Sequence, residues 1–203
     1  MLPNVHGNSD AQRARSHPRA AHEHAETLLV ARVASGDMAA FEALYRLYHP
    51  RLTRFLARIT HRRALVDELI NDTMLVVWHQ GARYNGSSLV STWIFAIAYR
   101  KALKALSQLD EAVADDAAES RPSAEPGPEQ TVNREQLRAR LAQALRTLSP
   151  EQRAVMALAY FHGAGCREIA EIVECPVDTV KTRLFHARRR VRALFDGPLE
   201  NWL

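Results

Sequence analysis

The sequence predicts an all-α protein: a helical bundle and a smaller helix-turn-helix domain, joined by a flexible acidic linker. Three observations carry this. Apolar residues recur at three- and four-residue steps in several long windows, the alternation expected of strands is absent, and an acidic, proline-punctuated stretch separates the two helical parts. At 203 residues the chain holds one ordinary domain or two small ones.

Residues 1–24 are polar, with Pro, Asn, Ser, Arg and scattered His and no apolar period, which predicts a disordered tail. His17, His22 and His24, with Glu23 beside them, are metal-ligand types, but a flexible tail supplies neither fixed geometry nor a second shell. No metal site is assigned. Residues 25–108 read as the first helical domain. Phe41, Leu44, Tyr45, Tyr48, Leu52, Phe55, Leu56 and Ile59 mark one long amphipathic helix after Gly36-Asp37. Val66, Leu69, Thr73, Val76 and Val77 mark the buried side of a second, and a third begins near Ser88 and carries Trp93, Ile94, Ile97 and Ala98. Over residues 109–130, Asp110, Glu111, Asp115, Asp116, Glu119, Glu125 and Glu129 mix with Ala, Ser, Pro122, Pro126, Gly127 and Pro128, a linker composition that cannot bury a core.

Residues 131–203 form the second domain. After a helix around 133–148, Ser149-Pro150-Glu151-Gln152 is a strong helix start: a capping Ser, Pro at the first helical position and Gln three residues after the cap. Arg167 to Val173 then reads as a short helix, Glu174-Cys175-Pro176 as a turn of helix-turn-helix length, and the following segment as a longer helix with Pro176 at its first position. Its buried stripe is Val177, Val180, Leu184, Ala187, Val191 and Leu194. The opposite face carries Asp178, Lys181, Thr182, Phe185, His186 and Arg189, with Arg183, Arg188, Arg190 and Arg192 on the flanks. A core stripe, a polar reading face and a cationic rim on one helix suit the major groove of DNA, and an outward Phe185 suits a thymine methyl or sugar edge.

The formal net charge of +4 points to an anionic partner. The longest apolar run, Trp93 to Tyr99, is far too short to span a membrane, so no membrane insertion is expected. The N-terminus lacks the apolar core of a signal peptide, and a cytoplasmic location is expected. Cys166 and Cys175 bracket a helix that sets them roughly 13 Å apart, beyond the roughly 7 Å a disulfide allows, and their spacing does not suit zinc. Both are read as packing residues.

Two further surfaces stand out. On the helix near 64–80, Asp67, Glu68, Asn71 and Asp72 face outward with Leu75, Trp78 and His79 near them, a mixture that suits a protein interface. The loop Arg83-Tyr84-Asn85-Gly86-Ser87-Ser88 and the helix after it interleave Tyr84, Trp93, Phe95 and Tyr99 with Arg83, Arg100, Lys101 and Lys104. That pattern suits unstacked bases and phosphates of single-stranded DNA, although core packing claims Trp93 and Phe95 when they are taken alone.

Four segments in this order, GDMAAFEALYRLYHPRLTRFLARIT, VDELINDTMLVVW, STWIFAIAYRKAL and the stretch from LRTLSPEQ to HARRRVR, resemble the extracytoplasmic-function (ECF) branch of the sigma-70 family. The resemblance implies a sigma factor that binds core RNA polymerase, at the β′ clamp and β flap regions, and directs it to promoter DNA. It implies polymerase docking by Asp67, Glu68, Leu69, Asn71, Asp72 and Trp78. It implies −10 element contacts by Arg83, Tyr84, Asn85, Trp93, Arg100, Lys101 and Lys104. For the −35 element it implies reading by Lys181, Thr182, Phe185 and His186, with Arg183, Arg188 and Arg189 on phosphates. It implies control by an anti-sigma factor, and no cofactor. The chain departs from the family pattern at Tyr99-Arg100, where Arg-Asn is common, and at Lys104 and Ser107, where Asp then Arg is frequent. Cys166 stands in place of a capping Ser or Thr, and Asp178 in place of a frequent Gly.

A helix-turn-helix regulator with an N-terminal sensing or dimerisation domain accounts for the C-terminal half but not for the other two surfaces. A DNA-processing enzyme fits less well. Asp67, Glu68 and Asp72 share one helix face with no partner His or nucleophile, whereas strand transfer needs acids converging from separate elements. No catalytic residue is assigned.

Overall fold

The computed structural model describes residues 9–115 and 143–193, with side chains from 22 to 109 and from 143 to 193. Among the described residues the chain is helical with no strand. The helices are α1 (Ser9–Ala34), α2 (Met38–Thr60), α3 (Arg63–Gln80), α4 (Val90–Asp115), α5 (Pro150–Phe161), α6 (Cys166–Ile172) and α7 (Val177–Ala193). A single 3-10 turn at Gly81–Arg83 follows α3.

Two boundaries differ from the sequence expectation. The segment from Ser9 onward, expected to be a disordered tail to residue 24, is helical and continuous with the buried part of α1. Its Ala, Arg, Gln and Glu content favours helix even without an apolar period. Likewise α4 runs to Asp115, into the segment expected as linker from 109. The rest of that linker, and most of the helix expected around 133–148, lie outside the described residues; 143–146 are helical.

The turn from α1 to α2 is set by local chemistry. Gly36 has φ +83, and Asp37 N–H donates to Arg32 O at 3.1 Å, the bond that closes a Schellman helix end. Asp37 then caps α2, accepting from Ala40 N at 3.0 Å and from Arg32 Nε and Nη2 at 2.9 and 2.7 Å. Those donors hold its carboxyl below the ordinary carboxylate range, the Ala40 amide first and Arg32 next. At the start of α5 the expected capping box is present: Gln152 N donates to Ser149 Oγ at 3.3 Å, and Ser149 N to Gln152 Oε1 at 3.2 Å.

Helix α2 is the spine. Leu44, Tyr48, Leu52, Phe55, Leu56 and Ile59 are fully buried, and α2 packs on α1, α3 and α4. Tyr48 anchors a buried polar network in this bundle: its hydroxyl donates to Glu26 Oε2 at 2.5 Å, and Arg51 Nη1 donates to Glu26 Oε1 at 3.1 Å. Burial and the Glu26 charge push the Tyr48 phenol up, so it stays protonated as a donor. The C-terminal unit has a smaller core of Ala154, Val155, Leu158, Ile169, Ile172, Val180, Leu184 and Ala187.

The two units touch. Helix α5 packs on α2, and α6 packs on α4. The seam centres on His162, whose ring lies edge-on to Phe95 (centroids 4.7 Å apart) and to Phe55 (5.9 Å). Arg153 Nε donates to Ile59 O at 2.7 Å and Arg153 Nη1 to Leu148 O at 2.6 Å. The Arg58 guanidinium lies 3.7 Å from the Phe161 ring centroid, a cation–π contact across the seam.

Candidate nucleic-acid interface

Helix α7 is presented by a tight turn. After α6, Val173 N donates to Ile169 O at 2.9 Å and Cys175 N to Ala170 O at 3.1 Å, again a Schellman end. The left-handed position it requires is occupied by Glu174, with φ +51, where glycine would be free of strain. Helix α7 begins at Val177, one residue later than expected. Pro176 lies just before it, and its carbonyl accepts from Val180 N at 3.2 Å.

Val180, Leu184 and Ala187 are buried, and the outward face carries Asp178, Lys181, Thr182, Phe185 and His186, all exposed. Phe185 is 61% exposed, its ring edge-on to His186 at 5.5 Å. Arg188, Arg189, Arg190 and Arg192 are exposed as well. Arg188 Nε donates to Tyr160 OH at 2.6 Å, and Arg190 Nη1 to Thr147 O at 3.1 Å. Arg183 departs from the expected phosphate-facing position. It is half-buried, with Nη1 3.8 Å from Cys175 Sγ, and it sits beside Tyr99 of α4. Its place on α7 falls between the buried stripe and the reading face, and α4 draws it inward.

On α3, Asp67, Glu68 and Asn71 are exposed, Asp72 is half-exposed, and Leu75 is 54% exposed. Leu69 does not belong to this face: it is 4% exposed and lies in the core. One helical step after Val66, it continues the stripe through Thr73 and Val77. Trp78 is half-buried, edge-on to Phe41 at 5.2 Å, so it contributes to packing as well as to the surface. Asn71 Oδ1 accepts from Tyr45 OH at 3.0 Å. Asp72 Oδ2 accepts from Lys101 Nζ at 3.0 Å, joining the α3 face to α4.

The loop before α4 is folded on itself. Tyr84 OH donates to Ser88 O at 2.6 Å, Asn85 Oδ1 accepts from Ser87 N at 3.0 Å, and the Tyr84 ring lies 5.3 Å from that of Trp93. Trp93 is half-buried and Phe95 buried; Arg83 and Lys104 are exposed. Arg100 forms an ion pair with Glu174 of the helix-turn-helix turn. A cavity of about 680 Å³ opens between the loop, α1 and α6, with Tyr84, Ser88, Thr92, Arg167 and Glu171 on its walls. Thr92 is 3% exposed, and its hydroxyl finds no hydrogen-bond partner among the described residues.

Residues 44–111 match the model of Sigma-70 region 2, and residues 138–191 that of Sigma-70, region 4. The chain is similar to the ECF RNA polymerase sigma factor RpoE of Cereibacter sphaeroides, at 30% identity over 77% of this chain and 86% of that protein. The chain belongs to the ECF sigma factors. The fold of this sigma factor is also that of CnrH in complex with the cytosolic domain of CnrY (TM-score 0.64, 24% identity, 86% of this chain and 99% of that one). It resembles as well RpoE in complex with the anti-sigma factor NepR from Bartonella quintana (TM-score 0.61, 22% identity, 78% and 98%). Sigma factors are transcription initiation factors. No described helix of this one is long and apolar enough to cross a membrane.

The seam was not legible in the sequence of the sigma factor. His162, Arg153, Arg58 and Phe161 carry no local pattern that announces an inter-unit contact, nor does Tyr160 as the partner of Arg188. The one available signal was the pair of exposed aromatics, Tyr160 and Phe161, at the end of an otherwise amphipathic helix.

Proposed function

We propose that this sigma factor docks core RNA polymerase through the outward face of α3 and reads promoter DNA with two surfaces. Asp67, Glu68, Asn71 and Asp72, with Leu75 and the exposed edge of Trp78, form the polymerase face. Arg83, Tyr84, Asn85, Trp93, Arg100, Lys101 and Lys104 serve the −10 element, and Lys181, Thr182, Phe185 and His186 read the −35 element, with Arg188 and Arg189 on phosphates. The observation that carries this reading is the outward face of α7. It is an exposed row of mixed donors and an aromatic, rimmed by arginines and set on a helix-turn-helix, in a chain whose α3 offers acids beside exposed apolar groups. The protein acts in the cytoplasm as a non-catalytic subunit. An anti-sigma factor holds it inactive, a reading supported by the NepR complex of its structural relative.

Promoter engagement requires the two units to part. The two elements lie roughly 80 Å apart along B-form DNA, whereas α1 and α4, the longest helices, each span only about 39 Å. Parting also frees Arg100 from Glu174. The test is reconstitution of the full chain with core polymerase and transcript mapping over genomic DNA. Expected are defined start sites that are lost with Asp72→Arg or Trp78→Ala, variants that retain a helical far-UV spectrum but fail to pull down core. Normal core capture by both variants would overturn the α3 assignment.

A further inference from the structure

We infer that Asp178 is a specificity-determining residue of the −35 reader, accepting from the N4 amino group of one cytosine, with Lys181 donating to a neighbouring guanine. The inference rests on the reading of α7 as the helix that enters the major groove. Asp178 is the second residue of α7, in the N-terminal part of a recognition helix, which lies closest to base edges. Its side chain is 91% exposed and that of Lys181 62%, and Lys181 Nζ donates to Asp178 Oδ1 at 3.0 Å. Thr182 Oγ1 donates to the Asp178 carbonyl at 2.9 Å, fastening the same turn. The two charges therefore reach the groove as one oriented unit.

The chemistry of that unit narrows what it can read. An ionised carboxylate only accepts. With one oxygen engaged by Lys181, the other is left for a donor, and the major-groove donors are the amino groups of cytosine N4 and adenine N6. Adenine places the N7 acceptor beside its amino group, where it opposes a carboxylate. Cytosine shows N4 with no acceptor of its own in the groove, so cytosine is favoured. The remaining Lys181 protons need acceptors, and guanine supplies two, O6 and N7. A site without the cytosine leaves a carboxylate facing phosphates and acceptors, a repulsive element that sharpens discrimination. Glycine at this position would provide neither effect. A merely structural role is also available, because a carboxylate in the first turn stabilises the helix dipole. That role changes stability and leaves base preference alone.

The test selects binding sites with the full chain and core polymerase from a promoter whose upstream element is randomised. The wild-type protein should enrich cytosine at one position, with guanine beside it, by at least about fivefold over other bases. D178N should transfer the preference at that position to adenine, because an amide offers the donor and acceptor that match adenine N7 and N6. D178A should flatten that position alone, and K181A the adjacent guanine. Unchanged preferences in D178N and D178A, whether or not the melting temperature moves, would overturn the inference and leave α7 as a reader by other residues. A wild-type selection with no preference anywhere in the upstream element would overturn the assignment of α7 itself.

Discussion

The two units handle their functional charges in opposite ways. In the N-terminal bundle, polar groups on the proposed polymerase and −10 surfaces are already engaged: Asp72 with Lys101, Asn71 with Tyr45, and Arg100 with Glu174 across the seam. On α7, Lys181 reaches only its neighbour Asp178, while Phe185 and His186 stand in solvent. The proposed surfaces of the bundle must exchange partners on other helices to bind, whereas the proposed base-reading face of α7 is paired within its own helix. Arg188 must release Tyr160 to meet a phosphate. Parting the units therefore breaks the Arg100–Glu174 pair together with the ring contacts of His162.

The largest test of this contrast is Phe55→Ala. Phe55 is fully buried and touches both Phe95 and His162. The substitution should cost about 3–5 kcal/mol in a denaturant titration. A loss confined to the C-terminal unit would show that the bundle core does not depend on this ring. Next comes Arg153→Ala, which removes the donors to Ile59 O and Leu148 O and should loosen the seam by about 1–3 kcal/mol. Fluorescence transfer between labels on α3 and α7 should fall, and DNA crosslinking to Arg100 should rise. Unaltered transfer would mean that apolar packing alone holds the units together.

His162 gives a smaller effect with a defined sign. Burial first, then the charges of Arg51, Arg54 and Arg58, push its imidazole down to about 4 from the ordinary 6.5. Glu26 and Glu168 line a second cavity, distinct from the one at the loop before α4, that His162 also borders. Above pH 6.5 the ring is neutral folded and unfolded and contributes no pH dependence. Between 6.5 and about 4 the unfolded chain takes up a proton that the folded ring refuses, so stability falls as pH falls. Solvent reaches the half-buried ring, which keeps the loss within about 1–2 kcal/mol. His162→Phe should remove that part of the acid sensitivity; an identical pH profile would place the sensitivity elsewhere. Smallest is Glu174→Gly. It relieves the left-handed backbone by up to about 1 kcal/mol while deleting the partner of Arg100. The helix-turn-helix should become slightly more stable and the seam slightly weaker. A fall in stability of the isolated turn, read by amide exchange at Cys175, would contradict the strain argument.

Much of this molecule was legible residue by residue because the signals are local. The apolar steps of α2, the Ser149 cap and the turn at Glu174-Cys175-Pro176 depend on neighbours within one or two helical turns. The outward faces of α3 and α7 followed from the same period. Errors arose where a residue sits at the edge of a stripe. Arg183 borders the buried side of α7 and turns to α4, and Leu69, placed on the buried side by its apolar period but on the docking face by the family resemblance, follows the period. The tail boundary failed for a related reason, since helix propensity without an amphipathic period leaves no mark in a hydrophobic pattern.

By itself the sequence determined the helical class, the order of the elements, the outward charged faces of α3 and α7 and the Asp178 departure, because each is written in spacing and side-chain type. Only the tertiary structure decided that the two units meet, that Phe55, Phe95 and His162 share one cluster, and that Arg100 is engaged by a turn 74 residues away. Such contacts join elements whose local periods are unrelated. Burial at the seam depends on how whole faces come together, which no short window of sequence encodes.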